Sequence, residues 1–530
     1  MRKEGIILIA FSLMFAIGST SCSDMSDKRS VFENVVNGYS NTGDTLKRLA
    51  AEYLSEYASY HYGVPRSLPS SLDVTPFLHT HDTIFKNYLD SCRFTVKESK
   101  PILDNDTITE DFIRENIELA FDAWHKPWAK NLSFEEFCKY ILPYRNSDEP
   151  LSNWRKYLKA KYEPSILDSV SNPASIREVA EYLMRCIRRE VAYGPSCGAF
   201  YRRLLAPTDI ERLHWVGCPN CAHYTTLVMR ACGIPCAQIN INWRFTEIGH
   251  SSVYFPAIGS NKRAFRLTIG DPLMEMGDAK DSMASYRTWI NIYEANSRLL
   301  DMMKDAQEHK GYKALQNMAF PVTREDVTAQ LSRTFNFSMP VPDSLQNKKY
   351  LFLCRFYQWK WIPIREGIVE DDSVHFQDAT IRQLYRLGYA SGDTVCTVGT
   401  PFTLLGDPNI ANVRQRLRPF DNTGDTVMFK RVYPCKEDEK QLTLIKTTYF
   451  WDTQNEWHPY TGKATLWGYN AKTDEYKVFT EDMRSTFKPV FYILEVYLPK
   501  WTMFTDNETP RLQGYLSTDP KSNEGYIMEF

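Results

Sequence analysis

The segment that most restricts the fold of this 530-residue chain is an apolar stretch with a helix signal at each end. Pro219 suits the first position of a helix, where its missing N–H would have no partner anyway, so Cys218 is predicted to be the N-cap residue. Gly233 predicts a left-handed stop at the other end, and Pro235 prevents the helix from continuing. The residues between these signals are mostly apolar or small, which predicts a buried helix.

This helix gives Cys218 a particular chemical environment. A thiol at a helix N-terminus lies against unpaired N–H groups and the positive end of the helix dipole. Both favour the thiolate, which is the reactive form of cysteine. The same N–H groups can hold the oxyanion that forms when a carbonyl group is attacked. Cys218 is therefore predicted to be a nucleophile suited to acyl chemistry.

A nucleophile of this kind needs a base and a group that orients the base. His250 lies in a polar turn at the entrance to one predicted strand, and Asp271 follows the end of the next. If the two strands are adjacent and antiparallel, these side chains come close together. Histidine titrates near neutral pH, and a carboxylate behind it stabilises the imidazolium. We therefore predict a triad of Cys218, His250 and Asp271 that needs no metal and no organic cofactor.

The pattern of these residues resembles the transglutaminase-like superfamily. Its matching positions are Cys218, Ala222, Arg230, Gly233-Ile234-Pro235, His250 and Asp271-Pro272. The resemblance implies a papain-like α+β core, a thioester intermediate, and transfer of the acyl group to water or an amine. The chain departs from the family at Ser252, where an aromatic residue is common, and in the long spacing from His250 to Asp271.

A second block, ahead of this core, extends the resemblance to the transglutaminase-like lipoproteins of Gram-negative bacteria. It comprises residues 134–145, Glu149 and Trp154-Arg155. Within the block, Tyr144, Arg145 and Glu149 are expected to form a buried polar network that supports the core.

The N-terminus has the pattern of a secretory signal. Residues 1–3 are basic at two positions, residues 6–17 are apolar, and residues 18–21 are small. The apolar run is too short to span a bilayer comfortably, which takes about 20 residues. Cys22 follows at once, and this pattern resembles a bacterial lipobox. The resemblance implies that Cys22 becomes a lipid-modified N-terminus, with palmitate among its acyl groups, that anchors the chain to the outer membrane. The alternative is an ordinary signal peptide with Cys22 as a bystander.

The distribution of helix and strand patterns along the chain predicts a multidomain α+β protein. Helical periodicity dominates up to about residue 165, and short strand-like runs separated by turn residues dominate after about residue 323. We expect a helical N-terminal region, the transglutaminase-like core and a β-sandwich-type C-terminal region. The predicted segments are a signal peptide (1–21), a tether (22–43), the helical region (44–165), the core (166–320) and two β-rich modules (321–425 and 426–530).

Composition narrows the class of partner. The formal net charge is -2, and no basic stripe with interleaved aromatic residues occurs, so nucleic acid is not expected as a partner. The 12 cysteines are an odd set once Cys22 is removed, which agrees with at least one unpaired thiol in a compartment that permits disulfides.

Several residues keep alternative interpretations. Cys218 and Cys221 also form a C-x-x-C pair, which suits thiol–disulfide exchange, and Cys221 could itself be the nucleophile. Zinc binding would need Cys232 and Cys236 as well, but Cys232 lies about 20 Å along the same helix from Cys218. Trp215 and Trp243 are candidates for a substrate groove, with core packing as the alternative. His214 and His223 are expected to be structural or exposed.

The leading functional hypothesis is a thiol-dependent hydrolase or acyltransferase that acts on amide bonds of peptides or proteins. It would be located in the cell envelope, bound to the membrane through its N-terminal lipid and facing the periplasm or the cell surface. The alternative hypothesis is a non-catalytic surface lipoprotein that binds a glycan or a protein through its β-rich C-terminal modules.

Overall fold

The structure is a computed structural model. It describes residues 30–68, 72, 76, 97–194, 203–243, 249–276, 285–308, 322–332, 334–357, 360–380, 384–392 and 394–405, and after these the strands given below with residue 473. The predicted signal peptide (1–21) and Cys22 lie outside these residues. Within the described part, no helix is long and apolar enough to cross a bilayer.

The protein has a mixed α+β fold whose helices lie mainly in the N-terminal half. The α-helices are α1 (Ser30–Thr42), α2 (Thr45–Tyr57), α3 (Asp104–Thr107), α4 (Glu110–Trp124), α5 (Phe134–Tyr140), α6 (Trp154–Tyr162), α7 (Ile176–Glu190), α8 (Pro207–Leu213), α9 (Cys218–Ala231), α10 (Ser297–Glu308) and α11 (Thr328–Leu331).

The starts of these helices follow local chemistry. Asp44 caps α2 by accepting a hydrogen bond from the Lys47 backbone N–H. Ser133 and Glu136 form a capping box at α5, because each side chain accepts a hydrogen bond from the other's backbone N–H. Residues 30–42, predicted as part of a tether, instead form α1, which packs on α2 and α4 and buries Phe32 and Val35.

The central sheet is antiparallel, with six strands in the order β10-β9-β8-β7-β11-β12. Its strands are β7 (Ala237–Trp243), β8 (Gly249–Phe255), β9 (Phe265–Thr268), β10 (Asp271–Glu275), β11 (Ser285–Asn291) and β12 (Arg324–Asp326). Four of them follow one another in the chain, so neighbouring strands join through short connections. Helix α9 packs against β8.

The N-terminal half also contains three pairs of two-residue strands. They are β1 (Tyr62–Gly63) with β4 (Ile102–Leu103), β2 (Arg66–Ser67) with β3 (Lys97–Glu98), and β5 (Ala192–Tyr193) with β6 (Trp215–Val216), the last of which is parallel. A single hydrophobic cluster contains side chains from the N-terminal helices, α9 and the central sheet, among them Leu54, Leu227 and Phe255. The helical region and the predicted core therefore share one core across the predicted boundary at residue 165.

The C-terminal half is built from further sheets. A seven-stranded antiparallel sheet has the order β13-β16-β15-β14-β17-β18-β19. Its strands are β13 (Thr334–Pro340), β14 (Tyr350–Tyr357), β15 (Lys360–Glu370), β16 (Ser373–Thr380), β17 (Leu384–Ser391), β18 (Thr394–Leu405) and β19 (Arg416–Pro419).

A six-stranded sheet follows in the order β20-β27-β26-β25-β23-β24, with β20 and β27 parallel, and a separate hairpin joins β21 to β22. These strands are β20 (Met428–Lys430), β21 (Thr448–Trp451), β22 (Trp457–Tyr460), β23 (Ala464–Asn470), β24 (Glu475–Val478), β25 (Phe491–Val496), β26 (Arg511–Thr518) and β27 (Glu524–Met528). The predicted change from helices to strands is therefore observed.

Ion pairs and hydrogen bonds cross the junction between the central and seven-stranded sheets. Arg287 on β11 donates to Asp326 on β12 at 3.1 Å and to the Ile364 carbonyl of β15 at 2.9 Å. Arg365 on β15 donates to the same Asp326 oxygen at 3.0 Å. Strand β12 pairs with β11, so it belongs to the central sheet although it follows the predicted core boundary at residue 320.

Candidate active site

Helix α9 presents Cys218 at its N-terminal end. The structure shifts the prediction by one residue: Gly217 is the N-cap and Cys218 is the first helical residue. The reason is that Gly217 has an extended backbone and its carbonyl accepts the Cys221 N–H at 3.0 Å. Cys218 is still in the first turn, where the helix dipole favours a thiolate.

The other end of α9 is closed as the sequence predicts. Gly233 has a φ of +81°, and the Ile234 N–H donates to the Met229 carbonyl at 2.8 Å. A side chain at Gly233 would collide with the Ala123 carbonyl oxygen, so glycine is required there for space as well as for backbone conformation. Both ends of α9 are therefore fixed by local features.

Strand pairing brings His250 and Asp271 together. Val253 on β8 pairs with Leu267 on β9, and continuing this register places His250 opposite Gly270. Gly270 has a φ of +87° and belongs to the turn between β9 and β10. Asp271 comes directly after the turn, as the first residue of β10 rather than the end of β9.

The two side chains meet in a short hydrogen bond. His250 Nε2 lies 2.5 Å from Asp271 Oδ2. A hydrogen bond also joins the His250 ring to the Cys218 side chain. Because Nε2 is engaged by Asp271, Nδ1 is the ring nitrogen that remains for the thiol. The three predicted triad residues are thus in one hydrogen-bonded chain.

The electrostatics of this chain favour a charged imidazole. Burial lowers the pKa of His250, but the hydrogen bonds to Asp271 and Cys218, together with negative charge on both partners, raise it from 6.5 to about 9. Burial raises the pKa of Asp271, yet the hydrogen bond from His250 and the charges of His250, Arg266 and Arg188 hold it below its usual value. At neutral pH the site therefore contains an imidazolium against a carboxylate.

Solvent reaches the site from the imidazole and carboxylate side. The His250 side chain is 18% exposed and that of Asp271 is 28% exposed. Cys218 is 2% exposed, and α9 is buried along nearly its whole length. A substrate carbonyl would thus approach the sulfur alongside the ring of His250.

Two arginines near Asp271 were not singled out in the sequence. Arg266 Nη1 lies 3.5 Å from Asp271 Oδ2, and Arg266 is itself buried. Arg188, in the last turn of α7, donates to the backbone carbonyl of Asp271 at 2.9 Å. The sequence gives one weak indication that Arg266 belongs to the site, because it is a charged residue inside an apolar strand. Arg188 had none, because basic residues are common at the ends of helices.

Of the two predicted groove residues, the structure describes the side chain of Trp215 only. Trp215 lies on β6, three positions before Cys218, and is half-buried against the main hydrophobic cluster. Its ring meets that of His214 edge-on, with the centroids 5.6 Å apart. Trp243 is the last residue of β7, and its side chain lies outside the described residues.

The rival cysteines are buried among apolar groups. Cys221 is inaccessible, and its Sγ donates to the Val216 carbonyl at 3.4 Å. Burial raises the pKa of Cys232 well above its usual value and that of Cys236 to about 12, which disfavours the thiolate. The eight cysteines of the described residues are all thiols rather than disulfides, and no group of three metal-binding side chains occurs among those residues.

Of the predicted polar network behind the site, Arg145 and Glu149 are joined, whereas the Tyr144 hydroxyl accepts a hydrogen bond from Tyr293 at 3.1 Å. Arg145 forms a buried ion pair with Asp104 and donates to the Glu149 carbonyl. The Glu149 carboxylate accepts the Asn146 N–H at 2.8 Å. Asn146 in turn contacts His223 Nδ1 of α9 at 3.0 Å, so the network holds α9 from behind.

His223 and His214 both have structural contacts. Burial lowers the pKa of His223, and Glu149 partly offsets this. His214 has a φ of 58°, and its Nδ1 lies 2.8 Å from the Glu190 carbonyl oxygen. The His214 ring is thus tied to the backbone at the end of α7, and the His223 ring is tied to the Asn146 amide.

Comparisons with known proteins found no match to this chain among family models, curated proteins or solved structures. The function therefore has to be inferred from the geometry of the described residues.

Proposed function

We propose that this protein is a thiol-dependent hydrolase or acyltransferase that acts on amide bonds of peptides or proteins. The observation that carries the proposal is the hydrogen-bonded chain from Cys218 through His250 to Asp271, with His250 Nε2 2.5 Å from Asp271 Oδ2. A thiol in the first turn of a helix, a histidine with a raised pKa and a carboxylate behind it are the parts that thiol acyl transfer requires.

The reaction begins with attack of the Cys218 thiolate on the carbonyl carbon, which forms a C–S bond. Backbone N–H groups at the start of α9 stabilise the oxyanion. The His250 imidazolium then gives its proton to the departing amine, and the C–N bond breaks to leave a thioester. In the second half, His250 takes a proton from water or an acceptor amine, which attacks the carbonyl carbon of the thioester. The C–S bond then breaks and the Cys218 thiolate leaves, which restores the starting thiolate and imidazolium. Asp271 orients the ring and stabilises its charged form throughout.

We also propose that the central sheet with α9 is a transglutaminase-like core and that the C-terminal sheets form β-sandwich-type modules. Cys22 would carry the lipid that holds the protein in the cell envelope. Hydrolysis is favoured over crosslinking, because a site open to bulk water presents water as the abundant acceptor.

Labelling with a thiol-directed electrophile near neutral pH tests the nucleophile. Cys218 should react at least tenfold faster than a model thiol, because the imidazolium and the helix dipole stabilise its thiolate. His250→Ala should reduce the rate at Cys218 to that of a model thiol. Cys221→Ala is the matched control from the same helix and should leave labelling unchanged.

Peptide libraries analysed by mass spectrometry then test the reaction class, with Cys218→Ala as the control. Cleavage, deamidation and crosslinking give different mass changes, so one measurement separates them. Labelling of wild-type Cys218 no faster than a model thiol, with no product in the library, would contradict the proposal. That result would favour a scaffold that binds a glycan or protein through its C-terminal sheets.

A further inference from the structure

The turn that carries Asp271 is held from outside the central sheet. Arg188, on the last turn of α7, donates from the same Nη2 atom to the carbonyl of Thr268 at 3.2 Å and to that of Asp271 at 2.9 Å. These carbonyls lie on the two sides of the turn between β9 and β10. One guanidinium therefore fixes the backbone on both sides of Gly270.

A second contact from the same stretch of chain presses on the tip of the turn. Tyr193 on β5 lies so close to Gly270 that an added Cβ would stand 3.1 Å from its ring carbon Cδ1. Gly270 combines this close approach with a φ of +87°. The turn thus contacts both the end of α7 and the strand that follows it.

The same stretch, residues 188–194, also contacts the approach to the nucleophile. The Ala192 N–H donates to the His214 carbonyl at 2.7 Å, and the Gly194 N–H donates to the Val216 carbonyl at 2.9 Å. Val216 is two residues before Cys218. Residues 188–194 therefore connect the backbone next to the thiol with the backbone next to the carboxylate.

We propose that Arg188 is a positioning residue, which sets the place of Asp271 relative to Cys218 and so holds His250 between them. This inference rests on the proposed function, since it assigns a role in the same site. Among the described residues, Arg188 donates to backbone carbonyls, and it would not contact the reacting atoms. Its role is geometric, and displacement of a catalytic group by about 1 Å can reduce a rate by up to roughly a hundredfold.

The chain offers a matched control one residue away. Arg189 is exposed on the same turn of α7, and its side chain makes no hydrogen bond or ion pair with the described residues. Arg188→Met and Arg189→Met remove the same charge from neighbouring positions. Arg188→Lys keeps the charge but replaces the planar guanidinium, whose Nη2 atom reaches both carbonyls, with a flexible ammonium group.

Two measurements on the full chain separate geometry from charge. The first is the rate of iodoacetamide labelling at Cys218, and the second is the pKa of His250 from NMR titration, with His250→Gln to assign its signal. Loss of a nearby positive charge alone would raise the pKa of His250. Displacement of Asp271 would instead lower it from about 9 towards 6.5, because that hydrogen bond is the strongest of the contacts that raise it.

We expect Arg188→Met to slow labelling roughly tenfold to a hundredfold and to lower the pKa of His250. Arg189→Met should stay within about twofold of wild type, and Arg188→Lys should fall between the two. If Arg188→Met matches Arg189→Met in both measurements while wild-type Cys218 reacts fast, the positioning role is wrong and the proposed function stands. If wild-type Cys218 is unreactive, the proposed function fails, and the pKa of His250 still decides whether Arg188 places Asp271.

Discussion

The two ends of α9 are stabilised in opposite ways. At the N-terminal end, charges face charges: the His250 ring meets the Asp271 carboxylate at 2.5 Å, and both side chains are partly exposed. At the C-terminal end, the fully buried Arg155 and Arg230 bind mainly backbone carbonyl oxygens. The first arrangement can change its protonation state, whereas the second holds the chain in one place.

The second arrangement, which we call the arginine clasp, consists of Arg155 and Arg230. Arg155 donates to the carbonyl of Arg230 at 3.0 Å and to those of residues 141–143, just after α5. Arg230 donates to the carbonyl of Arg145 at 3.0 Å. Burial and the charge of Arg230 lower the pKa of Arg155 to about 9, so it remains charged at neutral pH. The clasp thereby ties residues 141–145 to α9.

The comparison teaches that titratable groups with partial solvent access and buried charges that hold the backbone lie at opposite ends of one helix. A site that develops and loses charge needs polar groups with partial solvent access. A clasp of buried charges must be fully hydrogen-bonded, because each buried group left without a partner destabilises the fold by roughly 1–3 kcal/mol. Substitutions at the two ends should therefore separate activity from stability.

The largest effect is expected at the clasp. Arg155→Met removes donors from several buried carbonyls and from Asn116 Oδ1, which lies 2.8 Å from Arg155 Nε. We expect the free energy of unfolding to fall by about 4 kcal/mol, because several acceptors lose their partner at once. Urea unfolding followed by tryptophan fluorescence measures this. The labelling rate of Cys218, normalised to the folded fraction, should change little.

Arg185→Met is the control for the clasp, since Arg185 is an exposed arginine on α7. It should alter the unfolding free energy by less than about 0.5 kcal/mol. Equal destabilisation by the two variants would show that the carbonyl contacts of Arg155 contribute nothing specific.

The next largest effect is the contribution of His250, at the N-terminal end of α9, to the free energy of unfolding, and it depends on pH. The folded-state pKa of His250, about 9, is above its ordinary value of 6.5, so folding favours the protonated ring. The stabilisation is complete below pH 6.5 and is lost as the pH rises through 9. Its size is about 3 kcal/mol, because each tenfold change in proton affinity corresponds to roughly 1.4 kcal/mol.

A comparison of wild type with His250→Gln at pH 6 and pH 10 isolates this contribution. The difference in unfolding free energy between the two proteins should shrink by about 3 kcal/mol at the higher pH. Arg185→Met should show no comparable dependence, because an exposed arginine keeps its charge over this range. A difference between wild type and His250→Gln that stays constant with pH would mean that folding does not raise the pKa of His250.

Much of the site could be predicted from the sequence because its signals are local. Pro219 and Gly233 mark the ends of α9, and the strand pattern places His250 near Asp271. The one-residue error at Cys218 arose because Gly217 takes the cap through its backbone, without a side-chain signal. The change from helices to strands along the chain could likewise be predicted from periodicity.

The contacts between distant segments could not be predicted in this way. Arg155 reaches carbonyls on either side of it in the chain, and no spacing marks a buried arginine that binds backbone oxygens. Arg188 meets the turn of Asp271 across 83 residues. The shared core of the helical region and the central sheet was hidden for the same reason, since each part shows an ordinary amphipathic pattern by itself.

The smallest effect is expected at Gly270, in the turn between β9 and β10. Gly270→Ala places a methyl group 3.1 Å from the ring of Tyr193 at a φ of +87°, so it adds both backbone strain and crowding. We expect a loss of about 2 kcal/mol of unfolding free energy. Because the turn carries Asp271, labelling of Cys218 should also slow several-fold.

Gly43→Ala supplies the matched control for backbone strain. Gly43 has a φ of +76°, and nothing lies within 4 Å of an added Cβ, so the substitution should destabilise the fold by about 1 kcal/mol and leave labelling unchanged. Thermal unfolding and iodoacetamide labelling on the same samples give both numbers. If Gly270→Ala loses no more unfolding free energy than Gly43→Ala and leaves labelling unchanged, contact with Tyr193 does not hold the turn. The backbone around Asp271 would then not help to set the reactivity at the N-terminal end of α9.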